Sequence, residues 1–218
     1  MLTGIVAVPI VVGVVLYGSP LLFLLLVAPV TLMGVREYFT IVDRIGISGF
    51  PIHGIILSFL LLLSFYFNGN FMMEWGLIAS VTLFTAWFFH GGNVKVAIDQ
   101  ISFTLFGVLY VAGLGGYSLL IRNLGDGERL IFFLFLIVWL GDIAAYYWGK
   151  HFGKKPLAPV VSPNKTMEGA IAGLAGSLAA GAIAGYWFLD HIAMAHCLLV
   201  ALICGTIGQF GDLAESLL

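Results

Sequence analysis

Eight apolar runs, at about 4–17, 20–35, 51–67, 71–90, 101–121, 130–148, 167–189 and 193–211, follow one another along a chain of 218 residues. The breaks between them carry turn chemistry or charge: Gly18-Ser19-Pro20, Arg36 to Pro51, Asn68-Gly69-Asn70, Gly91 to Asp99, Arg122 to Arg129, Lys150 to Lys165, and Asp190-His191. A helix needs about 20 apolar residues to cross a hydrocarbon core of roughly 30 Å, and all but the short first run approach that length. The runs are too long and do not alternate in polarity, which argues against a β-barrel. An α-helical bundle satisfies its backbone groups internally. Composition points the same way: 61% of the residues are hydrophobic and 9% are charged, against roughly 25% charged in an ordinary soluble domain. These observations exclude a soluble enzyme, a disordered chain and a nucleic-acid binder. Two cysteines, Cys197 and Cys204, are too few for a disulfide scaffold and read as free, buried thiols. The expected fold is all-α: a polytopic membrane bundle of about eight spans. It forms a single integral-membrane domain over 1–218, with N-terminal spans in 1–140 and a catalytic-type part in 141–218.

The N-terminus, Met1-Leu2-Thr3-Gly4, has no basic region and no small-residue cleavage site after it, so the first span is expected to be retained. Alternating the spans puts Arg36, Arg44, Lys95, Lys150, Lys154, Lys155 and Lys165 on one side and only Arg122 and Arg129 on the other. By the positive-inside rule the first group faces the cytoplasm.

Polar groups inside or at the edge of spans are the default functional candidates in such a chain. Asp142 lies late in the sixth span, and Asp212 and Glu215 lie at the end of the eighth. Gln209, Asp212, Glu215 and Ser216 are three or four residues apart and share one helix face. Carboxylates converging at one depth suit a divalent cation with oxygen ligands, such as Mg²⁺. The alternative is that each acid reaches interfacial water or pairs with a lysine.

Between these acids, Lys150 to Lys165 holds four of the nine basic residues and no acid. Ser162-Pro163 reads as a helix start, with Ser162 at the N-cap and Pro163 at the first helical position. Asn164, Lys165 and Thr166 then fall in the first turn, where free amides, the helix dipole and a lysine make a phosphate site. The competing reading is a plain retention loop. In the seventh span, Gly169 and Gly173, Gly181 and Gly185, and the row Ala172, Gly176, Ala180 and Ala184 repeat every four residues. Such rows let helices approach closely. They suit a central helix of the bundle or association with a second copy of the chain, and both remain open at this point.

The string Gly141-Asp142-Ile143-Ala144-Ala145-Tyr146-Tyr147-Trp148-Gly149-Lys150, then Ser162-Pro163-Asn164-Lys165-Thr166-Met167-Glu168-Gly169, resembles bacterial phosphatidate cytidylyltransferase (CDP-diacylglycerol synthase). Gly208-Gln209-Phe210-Gly211-Asp212-Leu213-Ala214-Glu215-Ser216 is similar to the start of that family's signature, and Leu2-Thr3-Gly4-Ile5 and Arg36-Glu37-Tyr38-Phe39 fit more loosely.

The resemblance implies a reaction of CTP with phosphatidic acid, giving CDP-diacylglycerol and pyrophosphate. It implies Mg²⁺ or another divalent cation, with a second cation left open. The implied location is the inner membrane, among membrane lipids, with the active site toward the cytoplasm. The implied roles are Asp212 and Asp142 as metal ligands and Lys165, Ser162, Asn164 and Thr166 on phosphates. Glu168 and Glu215 orient the metal or the lysines, Ser216 supports phosphate binding, and Lys154 and Lys155 attract headgroups. The family signature continues past Glu-Ser with further basic and acidic residues, whereas this chain stops at Leu217-Leu218. On that reading a ninth span lies in a missing tail, and the 218 residues alone are expected to be inactive. The rival is a transporter or channel using intramembrane acids. A CDP-alcohol phosphotransferase would need an Asp-Gly-x-x-Ala-Arg run, which the chain lacks.

Overall fold

The computed structural model describes residues 2–44, 46, 49–90, 94–159 and 161–216, and leaves aside the side chains of 2–6, 90, 94, 95 and 215. It contains α1 (Leu2–Tyr17), α2 (Pro20–Arg44), α3 (Pro51–Tyr66), α4 (Met72–His90) and α5 (Val94–Gly107). A π-helical stretch (Val108–Gly113) joins α5 to α6 (Leu114–Arg122) in one rod. Then come α7 (Gly127–Phe152), strands β1 (Pro156–Ala158) and β2 (Ser162–Thr166), α8 (Met167–Trp187) and α9 (Met194–Glu215). The architecture is the expected all-α membrane bundle, and each expected span corresponds to a helical rod.

Six of the rods are long and apolar enough to cross a membrane. Helices α1 and α3 have 16 residues each, about 24 Å at 1.5 Å per residue, which is short of a roughly 30 Å core. Other rods outrun their apolar runs. Helix α2 continues to Arg44, the fifth rod begins at Val94, and α7 ends at Phe152. Arg36, Arg44, Lys95 and Lys150 therefore sit on helices rather than in loops. Arg, Lys and Glu are good helix formers, so a helix can pass from apolar to polar surroundings without breaking. Where the chain does stop, the backbone shows it: Asn68 (φ 60°) and Gly69 (φ 74°) turn left-handed after α3, a conformation that Gly and Asn tolerate best.

The chain packs as two compact units, 1–128 and 129–218. In the first, Phe23, Leu57, Leu61, Phe65, Val108 and Leu119 are buried. One end of this unit is tied by Arg122, whose Nη1 pairs with Glu128 Oε2 at 3.0 Å and whose Nη2 donates to the Gly18 carbonyl at 2.6 Å.

The second unit is α7, the β1–β2 ribbon, α8 and α9. Its core gathers Phe133, Ile137, Ala180, Ala184, Leu189, Cys197 and Ala201. The glycine rows of α8 set its helix spacing. A Cβ on Gly169 would stand 2.9 Å from the Ala145 carbonyl oxygen on α7, and one on Gly176 2.5 Å from that of Leu140. A Cβ on Gly181 would stand 2.8 Å from the Ala201 Cβ on α9, and one on Gly185 3.3 Å from Cys197 Sγ. These rows are spent on α7 and α9, so the central-helix reading holds within this unit. The register also shows α8 antiparallel to both neighbours: the C-terminal ends of α7 and α9 and the start of α8 lie together.

Candidate active site

Ser162–Thr166 is strand, not the first turn of a helix, and this corrects the expected helix start. The ribbon is antiparallel, with Pro156 opposite Thr166 and Ala158 opposite Ser162. A residue before proline is driven toward extended backbone, and proline is tolerated on the edge of a two-stranded ribbon. Helix α8 starts four residues later than expected. Thr166, extended at φ −116° and ψ 153°, is its N-cap, and its Oγ1 accepts from the Gly169 amide at 3.1 Å.

That shift changes how a phosphate could be held. The Met167 amide donates to the Lys155 carbonyl at 2.8 Å, and the Gly169 amide is taken by Thr166. With these two amides taken by the chain itself, the side chains at the cavity rim are the candidates for meeting an anion. Glu168, next in sequence, accepts from the amides of Lys154 at 3.0 Å and Lys155 at 3.2 Å. Its Oε2 therefore fastens the segment leading into β1.

A cavity of about 590 Å³ opens in this unit, within the range of small-molecule sites. Its floor is α8 with Gly169, Gly173 and Ser177; its walls are α7 with Asp142, Tyr146 and Lys150, and α9 with Gly208 and Asp212. Ser162, Asn164, Lys165 and Thr166 of the ribbon form the rim. Lys165 Nζ stands 3.5 Å from Asp212 Oδ2, with the two side chains 33% and 54% exposed. Gly173 serves as a level: its Cβ would lie 3.2 Å from both the Gly141 carbonyl oxygen and Gln209 Nε2. Asp142 lies one residue beyond Gly141 and Asp212 three beyond Gln209, on helices running the same way. Both acids thus lie toward the same end of their helices and line the one cavity.

Six of the expected residues thus line one cavity: Asp142, Ser162, Asn164, Lys165, Thr166 and Asp212. Lys154, Lys155, Glu168 and Ser216 do not line it. Ser216 Oγ donates to the Asp212 carbonyl at 2.8 Å, closing the last turn of α9. The Glu215 side chain lies outside the described residues. Sequence reasoning missed Lys150 and Tyr146 as wall residues. It also missed the polar clamp in which Gln209 Nε2 donates to the Ala170 carbonyl at 2.8 Å. Helical spacing was the available signal, since Asp142, Tyr146 and Lys150 are four apart and share a face. Of the two thiols, Cys197 is buried as expected and Cys204 is half-buried in the cavity wall.

Among the described residues no three His, Cys, Asp or Glu side chains gather as a ready metal cage. Two carboxylates in a cavity with hydroxyl and amide oxygens suit a different arrangement. Mg²⁺ is commonly held by one or two carboxylates and completes its shell with substrate phosphates and water.

The six helices of crossing length and the acid- and lysine-bearing cavity define an integral membrane protein with a polar site among its helices. Its particular kind follows from comparison with known proteins: the sequence model of the Cytidylyltransferase family matches residues 1–218, and the chain belongs to that family. Among relatives, it is 45% identical over 116 residues to the phosphatidate cytidylyltransferase of Staphylococcus aureus strain COL. It is 41% identical over 115 residues to the enzyme of that name from Staphylococcus haemolyticus and 40% over 115 to that from Staphylococcus saprophyticus. Each match covers 53% of this chain and 44% of the relative, less than half of its length. Nothing in these comparisons supports a transporter or channel.

Proposed function

We propose that the protein transfers the cytidylyl group of CTP to phosphatidic acid, giving CDP-diacylglycerol and pyrophosphate. The observation that carries this reading is the cavity in which Asp142, Asp212 and Lys165 meet at the end of helices long enough to span a membrane. Family membership and the names of the relatives support it.

In the reaction, a phosphate oxygen of the lipid attacks the α-phosphorus of CTP, the bond from that phosphorus to the bridging oxygen breaks, and pyrophosphate leaves. A phosphate monoester is largely ionised at neutral pH, with a second pKa near 6, so the attacking oxygen needs no base. The difficulty is to bring two anions together and to neutralise the leaving group. Lys165 would do part of this, because its ammonium stands 3.5 Å from the Asp212 carboxylate at the cavity rim. Ser162, Asn164 and Thr166 add neutral donors and acceptors that orient phosphate oxygens. Asp142 and Asp212 would hold Mg²⁺ or a similar cation, which when bound supplies Lewis-acid neutralisation of the phosphates. Glu168 keeps the ribbon, and with it Lys165, in place.

The same reading puts the protein in the bacterial inner membrane with this cavity toward the cytoplasm, where CTP is found. Lys150, Lys154, Lys155 and Lys165 all lie at the cavity end of the second unit, while the opposite turn carries Asp190 and His191, the bias expected of a cytoplasmic face. Mg²⁺-dependent formation of CDP-diacylglycerol by the intact protein, wild type against Asp212→Asn, tests the proposal. A loss of about 100-fold or more is expected for the variant. No product from the wild type would reject the function, and full activity of the variant would remove Asp212 from the site.

A further inference from the structure

We infer that Gly208 is a specificity-determining position: its missing side chain leaves room for the glycerol and first acyl carbons of the lipid acceptor. This rests on the function proposed above and adds which wall of the cavity takes which part of which substrate.

Glycine weakens a helix relative to alanine, so a glycine inside one calls for a reason. The other glycines of the cavity have one in helix packing. A Cβ on Gly141 would stand 2.7 Å from Ser177 Oγ, one on Gly149 3.1 Å from Thr166 Oγ1, and one on Gly205 2.6 Å from the Ser177 Cβ. Gly169 and Gly173 meet Ala145 in the same way, at 2.9 Å from its carbonyl oxygen and 3.1 Å from its Cβ. Gly208 differs: a Cβ there would meet nothing within 4 Å, yet the residue lines the cavity. Among the described residues no neighbour requires the bare backbone, and the space it leaves belongs to the ligand volume.

Its position says which ligand. Gly208 precedes Asp212 by four residues, so it lies on the same face about 6 Å nearer the middle of α9. Beyond it the lining is Gly205 and Cys204 on α9, Ile137 and Val138 on α7, and Ser177 on α8, whose hydroxyl is spent on the Ile137 carbonyl at 3.2 Å, so free polar groups give way to an apolar wall. An occupant spanning Gly208 has its phosphate at the carboxylates and lysine and an apolar part toward the middle of the helices. Phosphatidate is such a molecule. A nucleotide lying the same way would bury a polar ribose and base against apolar side chains, at a cost in desolvation.

The test uses the intact protein in detergent micelles, with dioctanoyl phosphatidate and CTP titrated separately. Gly208→Leu is expected to weaken phosphatidate binding by about tenfold or more while CTP binding stays within about twofold of wild type. Gly208→Ala is expected to keep or raise the melting temperature and to weaken phosphatidate binding by a few-fold, and it decides the matter if the leucine variant does not fold. Wild-type phosphatidate affinity in a folded leucine variant, or in the alanine variant if leucine does not fold, overturns the inference and leaves the proposed function standing. An equal loss of CTP affinity also overturns it, by giving this wall to the nucleotide. A wild-type protein that binds CTP but no phosphatidate overturns both.

Discussion

Replacing Lys165 by methionine separates a structural lysine from a working one, because the two roles differ in size. In the structure Lys165 is joined to Asp212 at 3.5 Å, with both side chains a third or more exposed. Two unit charges at that distance attract by roughly 1 kcal/mol in a water-like medium. Ordering two side chains offsets much of this, so an exposed pair is worth about 0–1 kcal/mol. If stability were all that Lys165 supplied, Lys165→Met would leave the melting temperature within a few degrees and the rate nearly unchanged. If its ammonium neutralises phosphate charge in the transition state, the loss should resemble that of a single oxyanion donor, about 10²–10³-fold or 3–4 kcal/mol. The assay is CDP-diacylglycerol formation in phosphatidate–detergent micelles, with thermal unfolding run in parallel. A double-mutant cycle with Asp212→Asn adds a check, since a mere ion pair would give a coupling of about 1 kcal/mol at most. Activity within about fivefold of wild type at unchanged stability would refute the role given to Lys165, since that is the scale of a 1 kcal/mol contact.

Three other outcomes follow from the geometry. Gly205→Ala should lower stability by about 1–2 kcal/mol, because roughly 1 kcal/mol gained in helix propensity is outweighed by overpacking against Ser177 and strain on its hydrogen bond to Ile137; a thiol-reactive dye reporting release of buried Cys197 on heating measures it. Arg122→Ala leaves the Gly18 carbonyl and Glu128 without their guanidinium partner and should cost about 2 kcal/mol, read as a lower melting temperature with ligand binding by the cavity retained. Glu168→Ala should speed hydrogen exchange at the Lys154 and Lys155 amides and reduce activity through a loosened ribbon. Unchanged exchange at those two amides would sink that account.

How much was legible in the sequence depended on how local the cause was. Hydrophobic runs and their polar breaks placed eight helical rods, because desolvation of a backbone in lipid acts on each segment by itself. The ends of the rods were misjudged by up to nine residues, as where α2 runs on to Arg44, because helix hydrogen bonding continues through polar residues that a hydrophobic count treats as loop. The motif residues Asp142, Ser162, Asn164, Lys165, Thr166 and Asp212 were found by their chemistry and by their resemblance to a family, and all six line one cavity.

Tertiary structure decided which contacts each residue makes there. Ser162 and Thr166 are both good N-caps by local rules. The pairing of Pro156 with Thr166 and Ala158 with Ser162 absorbs the first into a ribbon and leaves the helix start to the second. Glu168 carries a charge that suits a metal or a lysine, but two backbone amides some 14 positions away take it first. Asp142 and Asp212, 70 residues apart in sequence, line one cavity because the small residues of α8 let α7 and α9 pack closely against it. The sequence alone determined that this is a helical membrane protein, and which polar residues are candidates for its chemistry, because both follow from segment hydrophobicity and side-chain type. Which of those residues meet, and which glycine is left open to a ligand, came only from the packing of helices far apart along the chain.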